Sequence, residues 1–271
     1  KYICSSYGVE FNMIYYTGDI HAEYRNPRKI AKFAKKHNLT EDDVIVILGD
    51  VGVNYYGEGS VEDNTIKSRL SRIKPTLLCI QGNHEERPKN ISTYRKKFWK
   101  NGYVYVEDKF PKLLFAIDGM IYDLDGKDTL VIGGAYSVDK WYRLANGYQW
   151  FADEQPDDQI KQETEQAMSA WGYVFDQILS HTCPYKYLPT EAFLPHVDQS
   201  TVDQSTEEWL DTIEDRCTYG RWLCGHYHID KEIDKVRFMY NDFIDNDGNK
   251  VEWLFQTTYI KGYKHESQIR Y

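Results

Sequence analysis

The stretch DVIVILGD, residues 43–50, places five consecutive apolar residues between two aspartates. A strand on a half-exposed sheet alternates apolar and polar positions, so an unbroken run dominated by Val and Ile predicts a strand covered on both faces. Its neighbours carry the same signal. FNMIYYTGD (11–19) precedes it as a strand, and PTLLCIQGNH (75–84) follows as a third buried strand. Between them NPRKIAKFAKKHNL (26–39) reads as a helix opened by Asn26 and Pro27, with Ile30, Phe33 and Ala34 on one face, and TIKSRLSRI (65–73) reads as a second. Strands alternating with amphipathic helices predict an α/β domain.

Downstream the pattern changes. NISTYRKKFWKN (90–101) predicts a further helix, N-capped by Asn90 or Ser92. From Gly102 to Ala135, GYVYVED and KLLFAIDGMIYDLDGKDTLVIGGA give short strands with turns, which places a second sheet here. PDDQIKQETEQAMSAW (156–171) and DQSTEEWLDTIEDRC (203–217) predict helices, while YVFDQILSHTCP (173–184) and RWLCGHYH (221–228) predict strands. Residues 229–260 read as closing hairpins. DNDGN (245–249) is a turn rather than a calcium loop, because aligning Gly248 with the loop glycine puts Phe243 at the first ligand position.

With 271 residues the chain is read as one domain, 1–271, able to bury a core without disulfides or a structural metal. Its five cysteines (Cys4, Cys79, Cys183, Cys217, Cys224) are scattered and form no C-x-x-C pair, as expected of reduced thiols in a cytoplasmic protein. NLT and NIS match the glycosylation sequon, a pattern short enough to arise by chance. No apolar run approaches a membrane span of roughly 20 residues, so no membrane partner is expected. The net charge of -9 opposes nonspecific binding of duplex nucleic acid.

Several polar residues follow predicted strands directly. Asp19 and His21 follow the first, Asp50 ends the second, and Asn83 and His84 end the third. His181 follows VFDQIL, and His226 and His228 close RWLC. Ligands of open α/β sheets bind at the carboxyl ends of strands, so these positions can converge. His37, His196 and His265 lie outside the arrangement. Asp, Asn and His supply oxygen and nitrogen donors suited to Zn, Mn, Fe or Co. Seven candidates, Asp19, His21, Asp50, Asn83, His181, His226 and His228, exceed the needs of one ion, whereas two divalent ions sharing a carboxylate fit the count. Such a pair, about 3.5–4 Å apart, can hold a hydroxide between them and clamp an in-line displacement at phosphorus.

GDIH, LGDVGVN, QGNHE, LSHTCP and CGHYH stand in the order of the five blocks of the calcineurin-like metallophosphoesterase superfamily, which the chain resembles from Asp19 to His228. The resemblance implies a four-layer αββα sandwich of two mixed sheets flanked by helices. It implies a hydrolase of phosphomonoesters or phosphodiesters that works through a metal-bridging hydroxide. Asp19, His21 and His228 would hold one ion and Asn83, His181 and His226 the other, with Asp50 between them. His84 would be no ligand but would assist the leaving group, making it and Asp50 the catalytic pair.

The departures bear on substrate. The phosphoprotein (Ser/Thr) phosphatase branch has glycine after its first histidine and continues its second block with Asp-Arg-Gly; here Ala22, Val53 and Asn54 stand instead. A small phosphorylated molecule or nucleotide is therefore the expected partner, with a phosphoprotein phosphatase and a catalytically silent scaffold as the alternatives. Asn54 either takes over part of the missing contacts or caps a turn. The Trp/Tyr-rich segment around 135–172 carries Lys140 and Arg143 beside Trp141, Tyr142, Tyr148 and Trp150, and reads either as a substrate rim with Arg143 and Lys140 on phosphate or as a surface loop.

Residues two apart in an extended segment point to one side, about 6.5–7 Å apart at the backbone. GHYH is thus a fork, with His226 serving one ion, His228 the other, and Gly225 leaving the approach uncrowded.

Overall fold

The run from Asp43 to Asp50 is where the fold is anchored. Val44, Ile45, Val46 and Ile47 form a strand with every side chain buried, its two faces packing into different cores. A computed structural model describes residues 12–22, 27–195 and 197–253 of the chain. Its first part runs β1 (Ile14–Thr17), α1 (Pro27–Lys36), β2 (Val44–Ile47), α2 (Val61–Leu70), β3 (Thr76–Cys79), β4 (Tyr94–Trp99), β5 (Gly102–Glu107) and β6 (Leu113–Ala116). The second continues through β7 (Ile121–Asp123), β8 (Asp128–Ile132), α3 (Lys140–Asn146), α4 (Asp158–Ala170), β9 (Val174–Ser180), α5 (Ser205–Arg216) and β10 (Thr218–Cys224). Two hairpins close it, β11 (Lys231–Ile233) with β12 (Val236–Phe238), and β13 (Phe243–Asp245) with β14 (Lys250–Val251).

Two mixed sheets result, of order β14-β13-β1-β2-β3-β6-β5-β4 and β11-β12-β10-β9-β8-β7. β1, β2, β3 and β6 are parallel to one another, as are β8, β9, β10 and β12. Ile14, Val46, Leu48 and Leu78 of the first sheet meet Val131, Leu179 and Leu223 of the second in the central core. On the outer faces, Ile30 and Phe33 of α1 and Ile66 of α2 cover the first sheet, while Met168 of α4 and Leu210 and Ile213 of α5 cover the second. That is the αββα sandwich. Gln177, fully buried between the sheets, donates to the Tyr16 hydroxyl and to Thr129 Oγ1, each at 2.8 Å, and accepts from Arg221. A polar tie so completely satisfied fixes the register of the two layers.

The structure corrects two expectations. Residues 94–99 are a strand, not a helix, pairing with β5 from Tyr94↔Glu107 to Trp99↔Gly102. The lysines that suggested a helix face solvent on an edge strand, where charge discourages pairing with other chains. Lys100 and Asn101, at φ 50° and 66°, form the two-residue turn whose left-handed geometry suits a hairpin. Correspondingly, β5 and β6 belong to the first sheet, and the second begins only at β7. Among the described residues four cysteines are free and no helix is long and apolar enough to cross a membrane. Cys4, Asn26, His196 and His265 lie outside the described residues.

The hairpin makes a prediction that the helix reading reverses. Lys100 holds a left-handed backbone, so Lys100→Gly should raise stability by about 0.5 kcal/mol in urea unfolding. In a helix the same change would cost about 1 kcal/mol.

Candidate metal centre at the strand ends

Five of the parallel strands, β1, β2, β3, β9 and β10, deliver polar groups at their carboxyl ends. Asp19 lies two residues beyond β1, Asp50 three beyond β2, Asn83 and His84 in the turn after β3, His181 next after β9, and His226 and His228 after β10. His21, Asp50, His226 and His228 have positive φ (38°, 45°, 67° and 53°), so His226 and His228 lie in a left-handed turn after β10 and not in the extended segment expected of GHYH. Left-handed backbone at non-glycine residues costs about 1–2 kcal/mol each, and it persists where surrounding structure imposes it, commonly at functional sites.

The side chains converge. His228 Nε2 is 3.2 Å from Asp19 Oδ2 and 3.1 Å from His21 Nε2. Asp50 lies between two groups of imidazoles, with Oδ2 3.8 Å from His21 Nε2 and 3.9 Å from His84 Nε2, and Oδ1 3.7 Å from His181 Nε2. Asn83 Oδ1 is 2.9 Å from His181 Nε2, and the His181 and His226 rings meet edge-on at 5.0 Å. Asp19, His21 and His228 form one set of donor atoms close enough for an ion, and Asp19, Asp50 and His181 another.

The donors fit divalent metal. Asp19 Oδ2 is buried and lacks a well-formed hydrogen bond, although His228 Nε2 stands close. Its Oδ1 instead accepts from the His226 N–H at 3.0 Å. The backbone passes so close that a Cβ on Gly82 would be driven into the Asp50 carboxylate, and one on Gly225 into that of Asp19. His181 Nδ1 contacts the Leu48 carbonyl at 2.8 Å, which assigns its proton to that nitrogen and turns the lone pair of Nε2 to the cluster.

Electrostatics agree. Burial opposes ionisation of Asp50, but His84, His181 and His21 outweigh it and hold the carboxyl far below the ordinary range. Burial likewise works against Asp19, and the adjacent His228, with His181, brings its carboxyl down. Burial lowers His21, pushes His84 down to about 4 and, helped by His181, His226 to about 3, so these rings are neutral at pH 7. His228 goes the other way, its burial outweighed by Asp19.

Of the three residues read as phosphate contacts, the structure brings one to the centre. Arg143 of α3 reaches it: Nη2 is 3.4 Å from His84 Nε2, while Nε is fixed by Asp139 at 2.8 Å and Nη1 by the Tyr55 hydroxyl at 3.3 Å. Lys140 instead rests its ammonium 4.1 Å from the Trp150 ring centroid, with the rings of Tyr136 and Trp141 also beside it. Asn54 is buried with its Oδ1 accepting from the Tyr94 hydroxyl and its Nδ2 without a hydrogen-bond partner among the described residues, and its neighbour Val53 is wholly buried.

Other side chains support these donors: Ser137 and Glu154 carry no signal in the residue pattern, whereas Glu85, Asp230 and Asp176 are acids that the sequence offers as partners for the histidine rings. Ser137 accepts from Asn83 Nδ2 at 2.9 Å and is itself held by buried Glu154, which aims the Asn83 oxygen at His181. Glu85 ties the second and third blocks together through the Gly82 and Val51 N–H groups. Asp230 accepts from the N–H groups of residues 240–242, and Tyr240 stacks on His228 at 4.6 Å. Asp176, by contrast, bonds the Asp128 N–H at the far end of β9. A cavity of about 520 Å³ opens over Asp50, His84, His226 and His228, with Tyr136 and Tyr142 on one side and Leu188 and Phe193 on the other.

A family model described as calcineurin-like phosphoesterase matches residues 13–230. The chain belongs to that family. The calcineurin-like phosphoesterases act on phosphate esters and bind divalent metals, in keeping with the Asp/His clusters here. No curated protein matches the sequence. One solved structure, 10% identical, superimposes with a TM-score of 0.52 over 89% of this chain and 97% of its own. TT1561 of Thermus thermophilus is 13% identical over 85% and 89% of the two chains, with a TM-score of 0.43. The phosphopantetheinyl hydrolase of Mycobacterium tuberculosis is 15% identical over 84% and 88%, with a TM-score of 0.42. At such identities a likeness concerns the fold alone.

Two variants test the centre. Asp50→Asn should lose Mn²⁺ binding in calorimetry at pH 7. Gly82→Ala, which leaves every donor in place, should weaken it at least tenfold, about 1.4 kcal/mol, by displacing Asp50. Unchanged binding in both would place the metal elsewhere.

Proposed function

We propose that the chain is a dinuclear metal-dependent phosphoesterase acting on a small phosphorylated molecule or nucleotide. The observation that carries this reading is the pair of buried carboxylates, Asp19 and Asp50, whose ion-pair partners among the described residues are all histidines. Buried negative charge surrounded by imidazole nitrogens suits multivalent cations. Asp19, His21 and His228 would hold one ion, Asn83, His181 and His226 the other, and Asp50 would serve both. When bound, the ions activate water and polarise the phosphate oxygens as Lewis acids.

The protein's own groups divide the remaining work. Arg143, held by Asp139 and Tyr55 beside His84, binds a phosphate oxygen. His84 Nε2 faces two donors, Asn83 Nδ2 and Arg143 Nη2, and is bare at neutral pH. A phosphate anion seated beside it raises its proton affinity, so that the ring takes a proton from solvent and passes it to the departing oxygen. Tyr136, Val138, Asp139 and Tyr142 are the part of segment 135–172 that lines the cavity, with Arg143 beside His84, whereas α4 packs on the second sheet through Met168.

With Mn²⁺ the purified protein should hydrolyse p-nitrophenyl phosphate or bis-p-nitrophenyl phosphate. His84→Ala should retain the metals and lose a factor of roughly 10²–10⁴ in kcat. Arg143→Ala should lower kcat/KM by about tenfold or more. Absence of turnover with every divalent metal, together with absence of bound metal by elemental analysis, would refute the enzyme reading. Retained metal without turnover would favour the silent scaffold.

A further inference from the structure

The cavity over the metal centre continues past Leu188, Phe193, Val197 and Val202, with Gln199 and Gln204 beside them. One acid stands against this stretch. Glu207, in the first turn of α5, is only 4% exposed and lines the same cavity. Its Oε1 accepts from Thr182 Oγ1 at 2.6 Å, and that hydroxyl lies 3.0 Å from the hydroxyl of Tyr227. Its Oε2 is buried and has no hydrogen-bond partner among the described residues.

The helix does not explain this burial. Exposed Glu208, next along the first turn, already complements the helix dipole from the surface, where an acid is not desolvated. Folding alone gains nothing from an acid whose second oxygen is left without a donor. Burial also pushes the Glu207 carboxyl up to about 7, a further sign that the protein leaves its charge uncompensated. Buried polar groups without partners inside a ligand cavity are the usual means of fixing a ligand's orientation in an otherwise apolar lining.

We infer that Glu207 is the specificity-determining residue of a subsite for the substrate's organic group, accepting on Oε2 a hydrogen bond from a hydroxyl or amine carried by an otherwise apolar body. That body lies against Phe193, Leu188 and Val197, while the phosphate sits over the metal centre; the placement of the phosphate rests on the phosphoesterase reading. A site built to receive a donor discriminates strongly against an analogue lacking it, because the acceptor is then left buried and unpaired.

The test uses Mn²⁺-loaded protein and alkylphosphonates of four, six and eight carbons, each ending in methyl, hydroxyl or amine, with Kd read by calorimetry. At the chain length that spans the cavity, the hydroxyl- or amine-ended compound should bind about tenfold tighter than the methyl-ended one. Glu207→Leu should bring that ratio to about one, whereas Glu207→Gln, which keeps an acceptor oxygen, should preserve the preference for hydroxyl. Equal Kd values at every length in the wild type, a preference that survives Glu207→Leu, or a uniform weakening of all ligands in both variants would overturn the inference. Turnover of the matching p-nitrophenyl alkyl phosphates is followed in parallel. A binding preference without turnover would remove the phosphoesterase reading and keep the subsite, while turnover without preference would do the reverse.

Discussion

Asp19 and Asp50 are buried side by side where two sheets meet, and much of the molecule follows from keeping them there. A carboxylate removed from water needs a compensating partner or it takes up a proton. Lysine or arginine would neutralise these two and leave an inert ion pair. Histidines supply nitrogen donors instead, and burial keeps His21, His84 and His226 neutral, so the negative charge stays available to a divalent ion. The same burial that makes the carboxylates costly makes their attraction for a cation strong.

The scaffold accepts strain to achieve this. Two sets of parallel strands end at a common edge, and their short exits turn sharply enough to force His21, Asp50, His226 and His228 into left-handed backbone. The glycines preceding several ligands let the loops press against one another, as Gly82 does against Asp50 and Gly225 against Asp19. Backbone and carboxylate also interlock: Asp50 accepts the His84 N–H, Asp19 the His226 N–H, and Glu85 those of Gly82 and Val51. Preorganisation of this kind holds donors in place before any ion arrives.

Much of this was legible along the chain because strand ends are local features. A buried run such as VIVIL announces a strand covered on both sides, and the polar residue that closes it must sit at the rim. The gathering of seven donors at one edge followed from that rule. Other parts depended on partners distant in sequence. Lysine-rich YRKKFW is compatible with a helix until β5 is beside it, and the turn Lys100–Asn101 lacks the glycine that usually marks a hairpin. Val53 and Asn54 stand where a family branch has functional residues; here both are buried, and Asn54 is tied to the Tyr94 hydroxyl, a partner distant in sequence. Ser137, Glu154 and Glu207 carry no spacing signal at all, since their roles arise only when the segments 135–154 and 182–207 fold over the cavity.

On the proposed reading, Asp19, His21, Asp50, Asn83, His181, His226 and His228 hold two ions rather than one. Anomalous diffraction from a crystal of the Mn²⁺-loaded protein, recorded at the manganese edge, tests this directly. Two peaks about 3.5–4 Å apart are expected, one beside His228 and one beside His226, with Asp50 reaching both. A single peak, or peaks away from these residues, would contradict it.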